Sequence, residues 1–90
     1  VHAGGGRRSA IPERFDLIPP HALREVALAM AEGASRHGEW NWHKLPARVC
    51  INHAMRHIIL WMDGDQSEPH LSHAAANLLM ATELEAKNDG

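Results

Sequence analysis

The sequence predicts an all-α domain: a three-helix antiparallel unit completed by homo-oligomerisation into a helical bundle. Three observations carry that prediction. The apolar residues are mainly Ala, Leu, Ile, Val and Met, a helix-favouring set, with aromatics only 4% of the chain. They recur three and four residues apart over three stretches punctuated by Gly and Pro. One stretch is apolar around nearly its whole circumference, and in a chain of 90 residues its second side is expected to meet another subunit.

Residues 1–13 read as a flexible arm, because the Gly4-Gly5-Gly6 run opposes regular structure. The missing initiator Met suggests a trimmed start, so the arm is set apart from any site. Arg14 to Pro20 is a short extended segment whose Phe15, Leu17 and Ile18 are expected to tuck beneath the first helix. Pro19 and Pro20 restrict the backbone and allow a helix to begin. That helix should run from Pro20 to Arg36, with Leu23, Val26, Ala27, Met30 and Ala34 as its apolar stripe and Gly38 as its stop. The loop from Gly38 to Leu45 holds two of the three Trp; Trp42 should plug the bundle end and Trp40 should be more exposed.

The second helix should start near Pro46 and end near Asp63, stopped by Gly64. Ile51, Ala54, Met55, Ile58, Trp61 and Met62 form its expected core face, while Val49, Ile59 and Leu60 fall outside it. The third helix should run from Glu68 to Lys87, capped by Asp65 or Ser67, with Pro69 tolerated in its first turn. Leu71, Ala74, Ala75, Leu78 and Thr82 share one face; His70, His73, Asn77 and Leu84 share another. Residues 88–90 read as a frayed tail, which leaves 14–87 as a single all-helical domain.

The bulk properties narrow the function. The formal net charge of −2 gives no basic field that would mark duplex nucleic acid as a partner. The single Cys50 excludes an intrachain disulfide and a multi-cysteine zinc site. No apolar run reaches the roughly 18 residues of a membrane span, and no signal peptide is visible, so a cytoplasmic protein without a membrane partner is expected.

The eight histidines are the best pointer to a site. His53 and His57 are four apart, and His70, His73 and Asn77 follow at three and four, so each set lies along one helical face. The short link after Gly64 makes the second and third helices antiparallel neighbours. At a rise of about 1.5 Å per residue, His57 and His73 both sit about 8–9 Å from the turn. His53 and Asn77 share a level further along, and His70 lies nearer the turn with Asp63 and Asp65. Imidazole ligates metals and carries protons near neutral pH. His57 and His73 are therefore candidate catalytic residues, and His57, His70 and His73 candidate ligands of a divalent metal (Mg, Mn or Zn). A site with three His or carboxylate ligands and one open position suits hydrolysis. The plain alternative is a small polar core in which each imidazole pairs with a carboxylate, an amide or a carbonyl.

Other groups add to this. Trp40, Trp42, His43, Lys44 and Arg48 combine indole faces with positive charge beside a helix N-terminus, a pattern suited to stacking a base and holding a phosphate. Trp40, Lys44, Arg48, Arg56 and Asn77 are the candidate substrate-binding residues, although for Arg56 pairing with Asp63 or Glu25 is the simpler expectation. Glu25 and Glu32 could face the same pocket from the first helix or pair with Arg24 or Arg36. Asp63-Gly64-Asp65 is read as a turn rather than a metal loop.

The order of these motifs resembles a known family. Arg14-Phe15-Asp16-Leu17-Ile18-Pro19-Pro20 is followed by Gly33-Ala34-Ser35-Arg36-His37-Gly38 and Asn41-Trp42. Then come Arg56-His57, a Gly-Asp turn, and His70-Leu71-Ser72-His73-Ala74-Ala75-Ala76-Asn77-Leu78-Leu79. Over residues 14–85 this is similar to the N-terminal domain of phage-type dATP/dGTP diphosphohydrolases. The resemblance implies an all-helical nucleotide-handling domain, allied to the all-α nucleoside triphosphate pyrophosphohydrolases. Those enzymes bind metal through Glu-x-x-Glu and Glu-x-x-Asp pairs, which the central turns of the second and third helices here lack. Arg36 and His37 stand where the family tends to have Lys-Tyr. The expected function is a nucleotide-binding or pyrophosphohydrolase-like domain acting on purine deoxynucleoside triphosphates, its partners being the purine deoxynucleotide and its own copies in a dimer or tetramer. The alternative is a non-catalytic oligomeric interaction module with structural histidines.

Overall fold

The computed structural model describes residues 6–88; the first five residues of the expected arm, and Asp89 and Gly90 of the expected tail, lie outside the described residues. Three α-helices carry the fold: α1 (Pro20–His37), α2 (Ala47–Met62) and α3 (His70–Asn88). Two short 3-10 turns, Phe15–Leu17 and Asn41–Lys44, precede α1 and α2, and the described residues contain no strand. The boundaries follow from the punctuation. Pro20 opens α1 as its first residue, where a missing N–H costs nothing. Gly38 closes it at φ +95° with its N–H on the Ala34 carbonyl. Pro46 caps α2, and Gly64, at φ +86°, takes the left-handed backbone that turns the chain out of it.

α3 is the central element. It packs most extensively on antiparallel α2 and less on α1, and the Asn41–Lys44 turn docks against it. The α2–α3 contact is built from small side chains. Cys50 and Ala54 of α2 and Ala74, Ala81 and Leu84 of α3 are buried, at spacings of four, seven and three. Small residues let the two backbones approach closely, as larger ones could not without strain. The apolar part of this core sits far from the α2–α3 turn, where Cys50, Ala81 and Leu84 cluster with Trp42, Leu45, Ala47 and Met80 around them. The turn end is polar, and its buried side chains are His57 and His70.

The structure corrects the expected faces. Ile51, Met55, Ile58, Trp61 and Met62, read from the sequence as the core face of α2, are all exposed, and only Ala54 of that set is buried. Leu71 and Leu78 of α3 and Leu23 of α1 are likewise exposed. The hydrophobic period locates the larger apolar stripe, but the α2–α3 contact selects the slimmer one. Phe15, Leu17 and Ile18 do not tuck under α1; the Arg14–Asp16 ion pair (2.8 Å) closes that turn, and its apolar side chains face outward. The single chain is correspondingly open. Its radius of gyration is 16.6 Å, against about 12 Å for a compact domain of this length.

Candidate functional site

The site is built where the polar end of the α2–α3 pair meets α1. Residues 65–69 fold back over the first turn of α3 and bring two carboxylates onto its histidines. Asp65 Oδ2 accepts from Ser67 Oγ–H (2.6 Å), from the Ser67 backbone N–H (3.3 Å) and from His70 Nε2 (2.5 Å). Glu68 Oε1 accepts from His73 Nδ1–H at 2.9 Å. Each pair is five residues apart, so both are products of one local turn.

His57 comes to these groups from α2. Its Nδ1 lies 2.9 Å from His70 Nδ1 and 3.8 Å from Glu68 Oε1, and its ring centroid is 5.0 Å from that of His73. From α1, Glu32 Oε2 stands 3.7 Å from His73 Nε2, while the other carboxylate oxygen holds Arg36 at 2.9 Å. His57, Glu68 and His73 thus each offer a donor atom, all within 4.8 Å of one another. His70 is enclosed, 2% exposed, with both ring nitrogens engaged by Asp65 and His57.

The electrostatics follow from this packing. Burial pushes the His57 ring below its ordinary value; the Glu68 charge opposes that, and His73, His70 and Arg56 add to it. Burial pushes the Glu68 carboxyl up, but the His73 hydrogen bond and the neighbouring imidazoles outweigh it and hold Glu68 below the usual carboxylate range. The bonds from Ser67 and then His70 bring Asp65 down to about 2. At neutral pH Asp65 and Glu68 are therefore ionised and His57 is neutral.

A cleft of about 720 Å³ opens beside this group, within the range of small-molecule sites. Its lining includes Glu32, Arg36, Trp40, Arg56, His57 and Asn77, together with His37, His53, Glu68 and His73. Trp40 forms part of the wall and is 63% exposed as a residue. Its backbone is left-handed at φ 62°, an uncommon state for a bulky residue. Trp42 packs on the apolar core, with its ring 5.9 Å from that of Trp40. Asn77 donates from Nδ2 to the His73 carbonyl at 2.9 Å, which ties it to its own helix.

Of the residues singled out from the sequence, His57, His70, His73, Arg56, Trp40 and Asn77 come together here. Lys44 and Arg48 do not line the cleft; both are exposed near the start of α2. The expected pairing of Arg56 with Asp63 or Glu25 does not form, and Arg56 makes no ion pair among the described residues. Glu25 does not line the cleft, whereas Glu32 does. Asp63-Gly64-Asp65 is a turn, as read, but Asp65 also clamps His70. Sequence reasoning missed the parts played by Asp65, Glu68, Arg36 and His37. The signal for the first two was there in the repeated acid-to-histidine spacing of five, 65 to 70 and 68 to 73.

Among the described residues, no helix is long and apolar enough to cross a membrane. Comparison with curated proteins and with solved structures returns no match. The family described as dATP/dGTP diphosphohydrolase, N-terminal, matches residues 2–90, nearly the entire chain. The chain therefore belongs to the dATP/dGTP diphosphohydrolase N-terminal family.

Proposed function

We propose that this domain binds purine deoxynucleoside triphosphates in the cleft between α1 and the α2–α3 pair, and that it serves their hydrolysis to the monophosphate and pyrophosphate in the cytoplasm. The observation that carries the reading is the lining of the cleft: an exposed indole, two arginines and a His/Glu cluster on one cavity. Trp40 offers a π-face to a base, and the left-handed backbone that presents it is a strain of the kind found at functional sites. Arg56, in no ion pair among the described residues, and Arg36, steadied by Glu32, supply charge for the phosphates. Asn77 keeps its amide oxygen for the ligand.

His57, Glu68 and His73 are the proposed holders of a divalent ion. Two nitrogens and one oxygen fit Zn²⁺ or Mn²⁺ better than Mg²⁺, which prefers oxygen. Such an ion would neutralise phosphate charge and acidify a bound water for attack on the phosphate chain. The protein's own part is to position the phosphates through Arg36 and Arg56; where no ion is held, His57 or His73 would accept the water's proton at its unprotonated nitrogen.

Self-association belongs to the same reading. The apolar stripe left open on α2 is the surface we assign to a second copy, in a dimer or tetramer. The competing reading, a non-catalytic oligomeric module with structural histidines, is favoured by one observation. His57, His70 and His73 all have protein partners, and no buried side-chain nitrogen or oxygen lacks one among the described residues.

Calorimetry with dGTP and dATP, with Mn²⁺ or Zn²⁺ present, separates the outcomes. Binding is expected, and Trp40→Ala should weaken it by the roughly 1–3 kcal/mol of a base–indole stack, about 5- to 150-fold. Absence of binding would remove the nucleotide reading. Binding without release of dGMP and pyrophosphate from dGTP would leave a binding module.

A further inference from the structure

Asp65, His70 and His57 form a hydrogen-bonded chain that leads from a turn, through a buried ring, into the cleft. Asp65 is fixed at its outer end by two bonds from Ser67. His70 has no freedom: it is fully enclosed, with Asp65 on Nε2 and His57 Nδ1 on Nδ1. His57 ends the chain as part of the cleft wall.

We propose that Asp65 and His70 are positioning residues that lock His57 in its Nδ1–H tautomer, so that Nε2 is the atom it offers to a ligand. This deepens the functional reading above and rests on it for the identity of the ligand, but not for the tautomer itself. An ionised carboxylate only accepts, so Asp65 requires the His70 proton on Nε2. A ring that carries a single proton, and carries it on Nε2, leaves its Nδ1 as a bare lone pair. An Nδ1···Nδ1 contact of 2.9 Å needs one proton between the two nitrogens, and His57 must supply it. His57, neutral in turn, has its remaining lone pair on Nε2. The opposite assignment would set two lone pairs against each other inside a buried contact, with the penalty of an unmade bond.

His73 is anchored in the same way. Its Nδ1–H is committed to Glu68, which leaves Nε2 as its open atom, 3.7 Å from Glu32. In the unliganded chain both rings thus carry their proton on Nδ1; an ion held by His73 and Glu68 together would take the place of the His73 proton. That arrangement is how protein scaffolds orient a ligating or proton-accepting histidine: the second nitrogen is tied to a carboxylate, a carbonyl or another fixed acceptor. The His57 anchor is itself a histidine, and its acceptor state is imposed from one residue further out, by Asp65.

The test is the tautomer, read by long-range ¹H–¹⁵N correlation spectra of histidine-labelled, unliganded protein at about pH 8, above the ordinary imidazole value of about 6.5. A protonated Nδ1 and bare Nε2 are expected for His57, the reverse of the form favoured by imidazole side chains in water. Asp65→Ala removes the outer acceptor; His70 should then move its proton to Nδ1, and His57 should switch to Nε2–H. A wild-type His57 found as Nε2–H, or one unchanged by Asp65→Ala in a folded variant, would overturn the proposal. Should Asp65→Ala fail to fold, the wild-type spectrum decides, since it needs no variant. Because the sample holds no nucleotide or metal, a failure here is distinct from a failure of dGTP to bind.

Discussion

The exposed stripe of α2 gives the most discriminating perturbation. Ile51, Met55, Ile58 and Met62 follow one another at four, three and four residues, so they form one continuous ridge. Met55 is 54% exposed in the single chain. Burying a whole Met is worth about 1.5–3 kcal/mol, so covering the open half is worth about 0.8–1.6. In a two-fold dimer the same residue is covered twice, giving about 1.6–3.2 kcal/mol, or roughly 10- to 200-fold in the dissociation constant. Met55→Lys should therefore weaken self-association by about that factor and leave helicity intact. Sedimentation equilibrium across a dilution series measures it. Without a second copy on this ridge, Met55→Lys is a surface change worth within about 0.5 kcal/mol, and the mass would not respond. A wild-type chain that remains a 10.0 kDa monomer at high micromolar concentration would refute the reasoning.

Two further outcomes test the fold and the site. Leu84 is 4% exposed in the apolar core, so Leu84→Ala should cost about 2–5 kcal/mol in thermal or urea denaturation; a loss well below 1 kcal/mol would place Leu84 outside the core. His57, Glu68 and Asp65 are all held below their ordinary values of 6.5, 4.5 and 3.8, so the unfolded chain binds more protons in acid and stability must fall as pH falls. The His57 contribution should begin to fade below pH 6.5 and the carboxylate contributions below 4.5 and 3.8, with that of Asp65 fading down to about pH 2; urea midpoints that rise on acidification would contradict it.

Much of the fold could be read from the chain because its punctuation is unambiguous. Pro20, Gly38, Pro46 and Gly64 leave little room for the helix limits to move. The meeting of His57 with His73 was also legible, since both are counted from the same turn along helices of fixed rise. What was hidden was rotation about the helix axes. The large residues of α2 outvote Cys50 and Ala54 in any hydrophobic pattern, yet the small ones win the contact because they let α3 come close. Arg56 was misjudged for a related reason. Its expected partners, Asp63 and Glu25, lie at plausible spacings, but spacing alone cannot show that an arginine stays beside a cleft and leaves them.

The division of labour within the site explains why a chain this small can hold it. Four of its groups, Asp65, Glu68, His70 and His73, come from nine consecutive residues, and their two acid–imidazole pairs close without help from another helix. Gly64 makes this possible: at φ +86° it reverses the chain just after α2, where a side-chain-bearing residue would be strained. The tertiary structure then has only to deliver His57 from α2 and Glu32 from α1 to a surface already assembled. An error in helix rotation would therefore cost the site its His57 contact while leaving both local pairs formed. The buried alanines along the α2–α3 contact supply the missing precision, since close backbone approach tolerates little rotation. The small-residue seam and the acid-bearing turn are thus complementary halves of one device: the turn decides which atoms are presented, and the seam decides that His57 arrives to meet them.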